Sequence, residues 1–365
     1  MIKKNILLVS SEFPPQPGGI GNHAFQLLLH LNKNNFQVTV ITDTRSENGE
    51  EEATFDSENE FQIKRVSITS PRWMMYIKRI KKLFSEIKKN EIIIATGKFS
   101  LWTVAFASLF YKKKYIAIIH GTEVNFQNKR LKYLINKSLK KYDEVIAVSN
   151  FTKSLVSELH LKNIHVIPNG IDLQIQEEVK VVKLKGSPSL ITVGNVTDRK
   201  GQANVINMLP TLKERLPNIH YHCVGIPTQK EEFLQLAKQL KVEDHLTFHG
   251  KVSERNLHQL LKNSDIFVML SNTTQSGDVE GFGIAILEAN YFGIPAIGSE
   301  NCGIEDAIVH GETGFLIDNK DEKSFNDSIE KIMKDYSFYS EKSKKWAEKH
   351  HWNKIIKNYT KIIEN

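Results

Sequence analysis

The sequence predicts an α/β protein with two doubly wound domains that face a central cleft. Short apolar, β-branched runs alternate with stretches of helical spacing along the first half of the 365-residue chain, and the same alternation is found along the second half. Strands of a parallel sheet are continuously apolar because crossover helices bury both faces of the sheet. A chain of this length also exceeds the size at which one hydrophobic core stops growing.

Six strands are predicted in each half of the chain. In the first half they are 6–10, 38–42, 91–97, 115–121, 144–149 and 165–170, and in the second half they are 189–195, 220–225, 246–250, 265–270, 295–300 and 313–318. Ligands of open parallel sheets bind beyond the carboxyl ends of the strands. The loops that follow these runs are therefore the first place to look for a site.

The composition between and after these runs predicts the domain boundaries. Residues 1–172 form the first domain, and the polar, charged segment 173–188, which ends in Gly-Ser-Pro, is typical of a linker. Residues 189–338 form the second domain. Residues 339–365 show helical spacing without a further strand, and we expect these helices to cross back to the first domain.

The overall composition excludes several classes of protein. With 40% hydrophobic and 25% charged residues, the chain is an ordinary globular protein. Its two cysteines, Cys223 and Cys302, are too few for a disulfide framework or a zinc cluster, which suits a reducing cytoplasm. The first apolar run is only as long as a strand, and no segment approaches the roughly 20 apolar residues of a membrane span. We expect a cytoplasmic protein without a signal peptide.

The stretch 73–89 combines aromatic and Met residues with a following series of lysines and Arg79. A basic helix of this kind can lie on an anionic membrane surface, here the inner face of the cytoplasmic membrane. The alternative interpretation is a solvated helix face. No recognised nucleic-acid-binding motif accompanies the charge, so nucleic acid is not expected as a partner.

The most informative motif is EGFGIAILE, from Glu280 to Glu288, which follows a predicted strand and a polar loop. A helix that starts near Gly283 would point its first amides and its dipole at phosphate or sugar oxygens. Glu280 would then accept hydrogen bonds from sugar hydroxyls, and Glu288, about a turn and a half into the helix, would reach a ribose diol.

This motif resembles that of the retaining glycosyltransferases of the GT-B fold, glycosyltransferase family 4, in which a Glu is followed by Gly-Phe-Gly and, after seven residues in all, by a second Glu. Weaker matches extend the resemblance along nearly the whole chain. They are PGGIGNH (17–23), HGTE (120–123), VSNFT (148–152), PNGID (168–172), VGNVTDRKG (193–201), FHGKV (248–252) and HGETGFLID (310–318). The implied architecture is two Rossmann-like domains.

In the first domain the resemblance implies two contacts with a donor. The Gly-rich turn at Gly19 permits close approach of the backbone to the diphosphate of a nucleotide sugar. His120, at the carboxyl end of a predicted strand, matches the family's histidine that contacts the transferred sugar near its reacting carbon, and is expected to be catalytic.

In the second domain the resemblance implies a cationic loop that binds the diphosphate. Lys200 matches the family's catalytic lysine and is expected to stabilise the charge on the departing phosphate. The family often has an Arg where this chain has Asn195. Asn195 and Arg199 are both expected to bind the donor, and Arg199 is the candidate that supplies the missing charge. Gly250 and Val252 are expected to contact the nucleotide base through the main chain.

The motif around Glu280 completes the implied donor site. The resemblance assigns to it the side chain of Glu280, which is also expected to be catalytic, the side chain of Glu288, and the backbone of the residues between them. These backbone contacts are expected at Gly281, Phe282, Gly283 and Ile284.

A nicotinamide-dinucleotide site is the competing interpretation of the first Gly-rich turn. Residues 19–24 also fit the pattern G-x-G-x-x-A, and Asp43 ends the next predicted strand, where an acid would bind ribose. That pattern requires its first glycine in a tight turn directly after the strand. Here SEFPPQPG intervenes, so the dinucleotide interpretation is disfavoured.

The resemblance implies a retaining transferase that moves a hexose-type sugar from a UDP- or GDP-linked donor to a hydroxyl of a saccharide or lipid-linked acceptor, in the synthesis of envelope polysaccharide or glycolipid. No Asp-x-Asp pair is available to hold a diphosphate-bound cation, so neither a metal nor another cofactor is expected. Two alternatives remain open. One is a sugar-nucleotide epimerase of the same fold, and the other is a non-catalytic binding module.

Overall fold

The computed structural model describes residues 4–68, 70–173 and 184–365. Within these ranges the chain forms thirteen strands and thirteen helices, together with short 3₁₀ turns. The chain divides into two compact units. The N-terminal unit contains Met1–Gly170 and Trp352–Asn365, and the C-terminal unit contains Ile171–His351.

The N-terminal unit is built on one parallel sheet. Its strands are β1 (Asn5–Ser10), β2 (Gln37–Thr44), β3 (Gln62–Ser67), β4 (Ile92–Thr96), β5 (Lys114–Ile119), β6 (Glu144–Ala147) and β7 (Ile164–Val166). Its helices are α1 (Gly19–Lys33), α2 (Glu50–Ser57), α3 (Arg72–Ile87), α4 (Lys98–Ala107), α5 (Lys129–Leu139), α6 (Asn150–Ser154) and the last helix of the chain, α13 (Trp352–Glu364). The strand order is β3-β2-β1-β4-β5-β6-β7.

The C-terminal unit is built on a second parallel sheet. Its strands are β8 (Ser189–Val193), β9 (His220–Val224), β10 (Leu246–Gly250), β11 (Ile266–Met269), β12 (Ala296–Ser299) and β13 (Gly314–Ile317). Its helices are α7 (Gln202–Arg215), α8 (Lys230–Gln239), α9 (Glu254–Lys262), α10 (Ile284–Tyr291), α11 (Glu322–Lys334) and α12 (Tyr336–Lys349). The strand order is β10-β9-β8-β11-β12-β13. The predicted pair of doubly wound α/β domains is therefore confirmed.

Burial explains why the apolar runs predicted strands and why one strand was missed. All twelve predicted runs contain a strand, and those that pair on both sides are almost completely buried, as in β4 and β9. The missed strand is β3, with the sequence QIKRVS. It lies at the sheet edge, and five of its six residues are exposed or only partly buried, so it lacks the apolar run of a central strand.

The C-terminal helices differ from the predicted division. The predicted boundary at 338/339 falls inside α12, which packs against α10 and belongs to the C-terminal unit. Only α13 belongs to the N-terminal unit, where it packs on α1. Of the predicted linker 173–188, residues 174–183 lie outside the described residues, and the others group with the C-terminal unit.

Both strand orders contain a point at which the chain reverses its direction of progress across the sheet. In the N-terminal unit this switch lies between β1 and β4, and in the C-terminal unit it lies between β8 and β11. Adjacent crossovers leave on opposite faces there, so a crevice opens beyond the carboxyl ends of the two strands. The loops that follow these four strands are thus the positions at which each sheet offers side chains to a ligand.

No helix in the described ranges combines the length and the apolar character that crossing a bilayer requires.

Candidate functional site

The loop after β8 carries the predicted cations on a rigid turn. Residues Asp198–Lys200 form a 3₁₀ turn that ends at Gly201, whose φ of 76° lies in the left-handed region. A Cβ at this glycine would lie 1.8 Å from the carbonyl oxygen of Leu270, so only glycine fits. Asn272 anchors the turn from the loop after β11, because its main-chain N–H donates to the Arg199 carbonyl (3.0 Å).

The close contact at Gly201 leads to a stability prediction. We expect Gly201→Ala to lower the free energy of unfolding by about 3 kcal/mol, since the new methyl group adds a collision with the Leu270 carbonyl to the strain of a positive φ. The matched control is Gly311→Ala, at a φ of 78° with no atom within 4 Å of the added Cβ, which should cost only about 1 kcal/mol. Urea unfolding of both variants measures the difference, and equal midpoints would refute the role of the collision.

Glu280 lies beside both cations of this turn. Its Oε2 accepts hydrogen bonds from Nη1 of Arg199 at 2.6 Å and from Nζ of Lys200 at 2.7 Å. The side chains of Glu280 and Lys200 are each 13% exposed, whereas that of Arg199 is 31% exposed. The loop itself is fixed by the main-chain N–H of Gly303, which donates to the Glu280 carbonyl at 2.8 Å.

These contacts set the charge of the cluster. Burial by itself would raise the pKa of Glu280, but the charges and hydrogen bonds of Lys200 and Arg199 outweigh it and lower this pKa to about 2. Glu280 is therefore ionised throughout the neutral range. One carboxylate between two cations leaves the cluster with a net positive charge, which favours an anionic ligand.

Helix α10 begins directly after Glu280 and its glycines. Gly283 caps the helix with a φ of 88°, in the left-handed region, so the backbone can turn sharply into α10. The first amides of any helix have no intrahelical acceptor and carry the positive end of the dipole. Gly281, Phe282 and Gly283 are buried, whereas Ile284, the first residue of the helix, is partly exposed. The expected contacts of these four residues with a donor stay a prediction.

Glu288 lies within α10 and is partly buried. Burial raises its pKa to about 7, and the charge of Glu254 acts in the same direction, while Lys200 acts in the opposite direction. The electrostatic influence of Lys200 thus reaches both glutamates of the motif. Glu288 is a carboxyl group that changes its charge near neutral pH.

The remaining predicted residues of this unit lie at the same edge of the sheet. Asn195 is exposed just after β8, and its carbonyl accepts from Nε2 of Gln202 at 3.1 Å. Gly250 ends β10, and its carbonyl accepts from the Gly225 amide at 3.0 Å. Val252, two residues further on, is partly buried. Because the strands are parallel, these residues share the carboxyl edge with the cationic turn.

In the N-terminal unit, Gly19 is the first residue of α1 and is exposed. No atom lies within 4 Å of a Cβ built at this position, so the approach to the helix start is open. The helix follows β1 and the segment 11–18. The position has the geometry that close approach of a phosphate to backbone amides requires.

His120 follows β5 and is held by its neighbours. Its Nε2 is hydrogen-bonded to Oγ1 of Thr96, the last residue of β4, at 2.9 Å, and its main-chain N–H donates to Oε1 of Glu123. Burial lowers the pKa of His120 to about 3, so the ring is neutral under ordinary conditions. The ring of His23 lies edge-on to it, with 5.0 Å between the centroids.

Two residues of this environment were not singled out from the sequence. Glu123 is completely buried, and burial raises its pKa to about 7. The HGTE motif contains Glu123, but nothing in the motif indicates that its carboxylate would accept a hydrogen bond from the main-chain N–H of His120. In the sequence His23 is part of a Gly-rich pattern that gives no sign of a contact with His120, because that contact depends on how α1 packs.

The structure argues further against a dinucleotide site at the first Gly-rich turn. Eight residues, Ser11–Gly18, separate the end of β1 from the start of α1, whereas the dinucleotide pattern needs a tight turn directly after the strand. The Asp43 carboxylate is also occupied, since Nε of Arg79 donates to its Oδ1 at 2.7 Å and Nη2 of the same guanidinium donates to its Oδ2.

Two family models match the chain, one in each half. The model described as "Glycosyltransferase Family 4" matches residues 17–175, and the model described as "Glycosyl transferases group 1" matches residues 174–351. Together the two matches include every residue of the candidate site. They overlap at positions 174 and 175 of the sequence, a few residues after the boundary between the two units at Gly170 and Ile171.

Individual proteins are also similar to this chain, at low sequence identity. A "GDP-mannose-dependent alpha-(1-6)-phosphatidylinositol monomannoside mannosyltransferase" of Mycobacterium tuberculosis is 24% identical over 347 residues, which cover 90% of this chain and 89% of the relative. The Anabaena HepE structure in complex with UDP and glucose superposes with a TM-score of 0.78, at 17% identity and 99% coverage of both chains. A glycosyltransferase of Rickettsia africae gives 0.80, at 18% identity, covering 99% of this chain and 98% of its own.

Proposed function

Because the chain belongs to the GT-B glycosyltransferases, with a family 4 N-terminal half and a group 1 C-terminal half, we propose that it transfers a hexose-type sugar from a UDP- or GDP-sugar to an acceptor hydroxyl. The acceptor is a saccharide or a lipid-linked saccharide, and the anomeric configuration is retained. One observation carries this proposal: both cations of the turn after β8 contact the Glu280 carboxylate.

That contact fits the two halves of a nucleotide-sugar donor. The diphosphate needs cations, and the attached sugar needs a hydrogen-bond acceptor for its hydroxyls. Nη1 of Arg199 and Nζ of Lys200 lie within 2.7 Å of Oε2 of Glu280. A diphosphate bound to these two cations would therefore bring its sugar directly to the carboxylate. Glu280 is ionised and accepts only, which suits hydroxyl donors.

The proposed reaction takes place on one face of the sugar. The bond between the anomeric carbon and the diphosphate oxygen breaks while a bond from the acceptor oxygen forms on the same side. The acceptor proton passes to the departing phosphate oxygen, which accounts for the proton and the leaving electron pair. Lys200, Arg199 and the first amides of α10 stabilise the developing negative charge, as prearranged donors do in other enzymes.

His120 is proposed to steady the cationic sugar through its neutral ring. A neutral imidazole can offer a lone pair or an N–H to the sugar without adding positive charge. The diphosphate charge is assigned to protein groups, so the proposal includes no metal ion. Transfer should therefore persist in the presence of EDTA.

Two comparisons support the choice of substrates. The mycobacterial relative is named for a GDP-mannose donor and a phosphatidylinositol-linked acceptor, and the Anabaena structure contains UDP and glucose. One of these names includes GDP-mannose and the other structure contains UDP, so both UDP- and GDP-sugars are proposed as candidate donors. Synthesis of envelope polysaccharide or glycolipid is the proposed setting.

The experiment incubates the whole chain with a panel of UDP- and GDP-sugars, with and without saccharide and lipid-linked acceptors. Release of nucleoside diphosphate that rises when an acceptor is present supports transfer. An epimer that forms from the donor without any acceptor would instead establish an epimerase. Donor binding without either product would indicate a binding module.

The titration of Glu288 gives a pH prediction. If its ionised form binds the ribose hydroxyls, nucleotide affinity should fall about tenfold between pH 8 and pH 6, because a carboxyl with a pKa of about 7 is mostly protonated at the lower pH. Affinity is thus complete above this pKa and is lost as the pH falls through it. Titration calorimetry at several pH values measures the dependence.

The matched variant for this measurement is Glu288→Gln, which keeps the shape of the side chain and removes its titration. Protonation of the nucleotide phosphate affects both proteins equally, so it cancels in the comparison. The affinity ratio of wild type to variant should decrease as the pH falls. A constant ratio would show that the charge of Glu288 does not contribute to binding.

A contact with an anionic membrane remains a proposal, supported by the exposed face of α3. Trp73, Met74 and Ile77 are 59%, 39% and 43% exposed, and lysines follow them along the helix. Arg79 is not part of this face, in contrast to the sequence interpretation, because it binds Asp43 and stacks over the Phe99 ring at 4.7 Å. Further exposed apolar side chains lie at the end of α4 and on α5; they are Phe106, Leu109, Phe110, Tyr133 and Leu134.

Sedimentation with vesicles tests the membrane proposal. The wild type should sediment with anionic vesicles at low salt, bind less as salt screens the lysines, and ignore zwitterionic vesicles. Combined substitution Trp73→Ala and Lys78→Ala should weaken binding several-fold. The control Phe338→Ala removes a side chain that is 39% exposed on the other unit and should change nothing. Equal binding to both vesicle types would contradict the proposal.

A further inference from the structure

The last helix of the chain contacts the environment of His120 through one buried polar pair. Tyr359, on α13, is 1% exposed, and its hydroxyl is hydrogen-bonded to Nε2 of His23 at 3.0 Å. His23 lies in α1 and is 2% exposed. These two residues are 336 positions apart in the sequence, so the contact exists only because α13 packs on α1.

His23 in turn lies against His120. The centroids of the two imidazole rings are 5.0 Å apart, and the ring planes are nearly perpendicular, at 78°. The His120 ring is held on another side by Thr96, whose Oγ1 is 2.9 Å from its Nε2. The orientation of this imidazole is thus determined by a hydrogen bond to β4 and by the packing of one neighbouring ring.

Two side chains of α13 also contact the His23 ring. Besides Tyr359, Trp352 packs on it with 5.5 Å between the ring centroids. Its Nδ1 is buried without a hydrogen-bond partner among the described residues, so the bond to Tyr359 is the one polar contact seen to orient this ring. An apolar residue would fill this space at lower cost, because a buried polar atom without a partner is unfavourable.

We propose that Tyr359 and His23 are positioning residues, which hold the His120 imidazole in the orientation that the transferred sugar requires. The proposal rests on the function proposed above, in which His120 contacts that sugar. Tyr359 orients His23 through its hydroxyl, and His23 limits the rotation of His120 through its ring. The closing helix therefore contributes to the reaction without touching the substrate.

A purely structural role predicts something different. If the pair only fills the core, removing the hydroxyl should lower stability and leave the kinetics of the folded enzyme unchanged. If the pair orients His120, removing it should lower kcat, because a small misplacement of a reacting group is costly, and should leave the donor KM nearly unchanged. The NMR chemical shifts of the imidazole nitrogens of His23 and His120 should also change when the pair is removed.

The decisive variant is Tyr359→Phe, which removes one oxygen atom and keeps the ring. The matched control is Tyr115→Phe in the same unit, where the lost hydroxyl of a buried tyrosine donates to the Tyr111 carbonyl at 2.6 Å. We expect kcat for transfer to fall about 10- to 100-fold in Tyr359→Phe and to stay within twofold of wild type in the control. The thermal midpoints of the two variants should be similar.

A second pair of variants tests His23. In His23→Gln the side-chain amide can still bond to the Tyr359 hydroxyl, whereas His23→Leu cannot. The Gln variant should retain several-fold more activity than the Leu variant. The proposal is overturned if Tyr359→Phe and His23→Leu both keep kcat within twofold of the Tyr115→Phe control.

Imidazole ¹⁵N NMR separates this proposal from the function on which it rests. The His120 ring nitrogens should shift in Tyr359→Phe and not in Tyr115→Phe, whatever the enzyme transfers. Unchanged His120 shifts would refute the positioning role even in an active enzyme. If the His120 resonances shift in Tyr359→Phe but the protein transfers no sugar from any donor, the positioning of His120 by its neighbours is supported and the proposed function is rejected.

Discussion

Replacing Glu280 by alanine is expected to lower kcat for sugar transfer by roughly 100-fold, while the protein stays folded. The variant loses the hydroxyl acceptor of the transferred sugar and also the carboxylate that holds Arg199 and Lys200 in place. Both effects misplace groups at the reacting carbon. Transfer of radiolabelled sugar from the donor found in the screen measures the loss.

Two variants control the Glu280 experiment. Glu280→Gln keeps an oxygen acceptor and the shape of the side chain, so it should retain more activity than the alanine variant. Glu330→Ala breaks a different ion pair of the same unit, with Arg215, and both of its side chains are more than half exposed. It should be fully active. A Glu280→Ala enzyme with unchanged kcat would exclude this carboxylate from the reaction.

Replacing Lys200 by alanine is expected to lower kcat by about 100- to 1000-fold, the usual effect of removing one donor aimed at developing negative charge. The Lys200 side chain is 13% exposed and its ammonium group lies 2.7 Å from Glu280, so water compensates poorly for its loss. Arg199 is 31% exposed, and we expect a smaller loss from Arg199→Ala. The losses in both variants are measured as rates of donor hydrolysis and of sugar transfer.

Lys342→Ala is the control for these cations, because it removes a lysine whose side chain is 39% exposed and pairs with Glu312 in the same unit. It should leave the rates unchanged. Equal losses for Arg199→Ala and Lys200→Ala would show that the two cations share the leaving charge. Full activity of Lys200→Ala would mean that the turn after β8 does not stabilise the leaving group.

The strands and the motif around Glu280 could be predicted because the signals are local. A central parallel strand is buried on both faces, so its sequence is apolar, and a helix that follows Gly-Phe-Gly begins where the glycine permits the turn. The edge strand β3 had no such signal. Likewise, the membership of α12 in the C-terminal unit depends on its packing against α10, which no local pattern encodes.

The parts of the site that could not be predicted depend on contacts between distant segments. Gly201 fits against the Leu270 carbonyl, and Asn272 binds the Arg199 carbonyl across more than 70 residues. The contact of Tyr359 with His23 spans almost the whole chain. Motifs identified the residue types that chemistry needs, whereas tertiary packing decides which of them are held in place.

The central claim is that the C-terminal unit binds the diphosphate of a nucleotide sugar through Lys200, Arg199 and the start of α10. Titration calorimetry of UDP and GDP into the purified whole chain tests it most directly. We expect one site per chain for at least one of these nucleotides and at least tenfold weaker binding when Lys200 is replaced by alanine. Absence of binding by either nucleotide, or equal affinity of the wild type and the Lys200 variant, would contradict it.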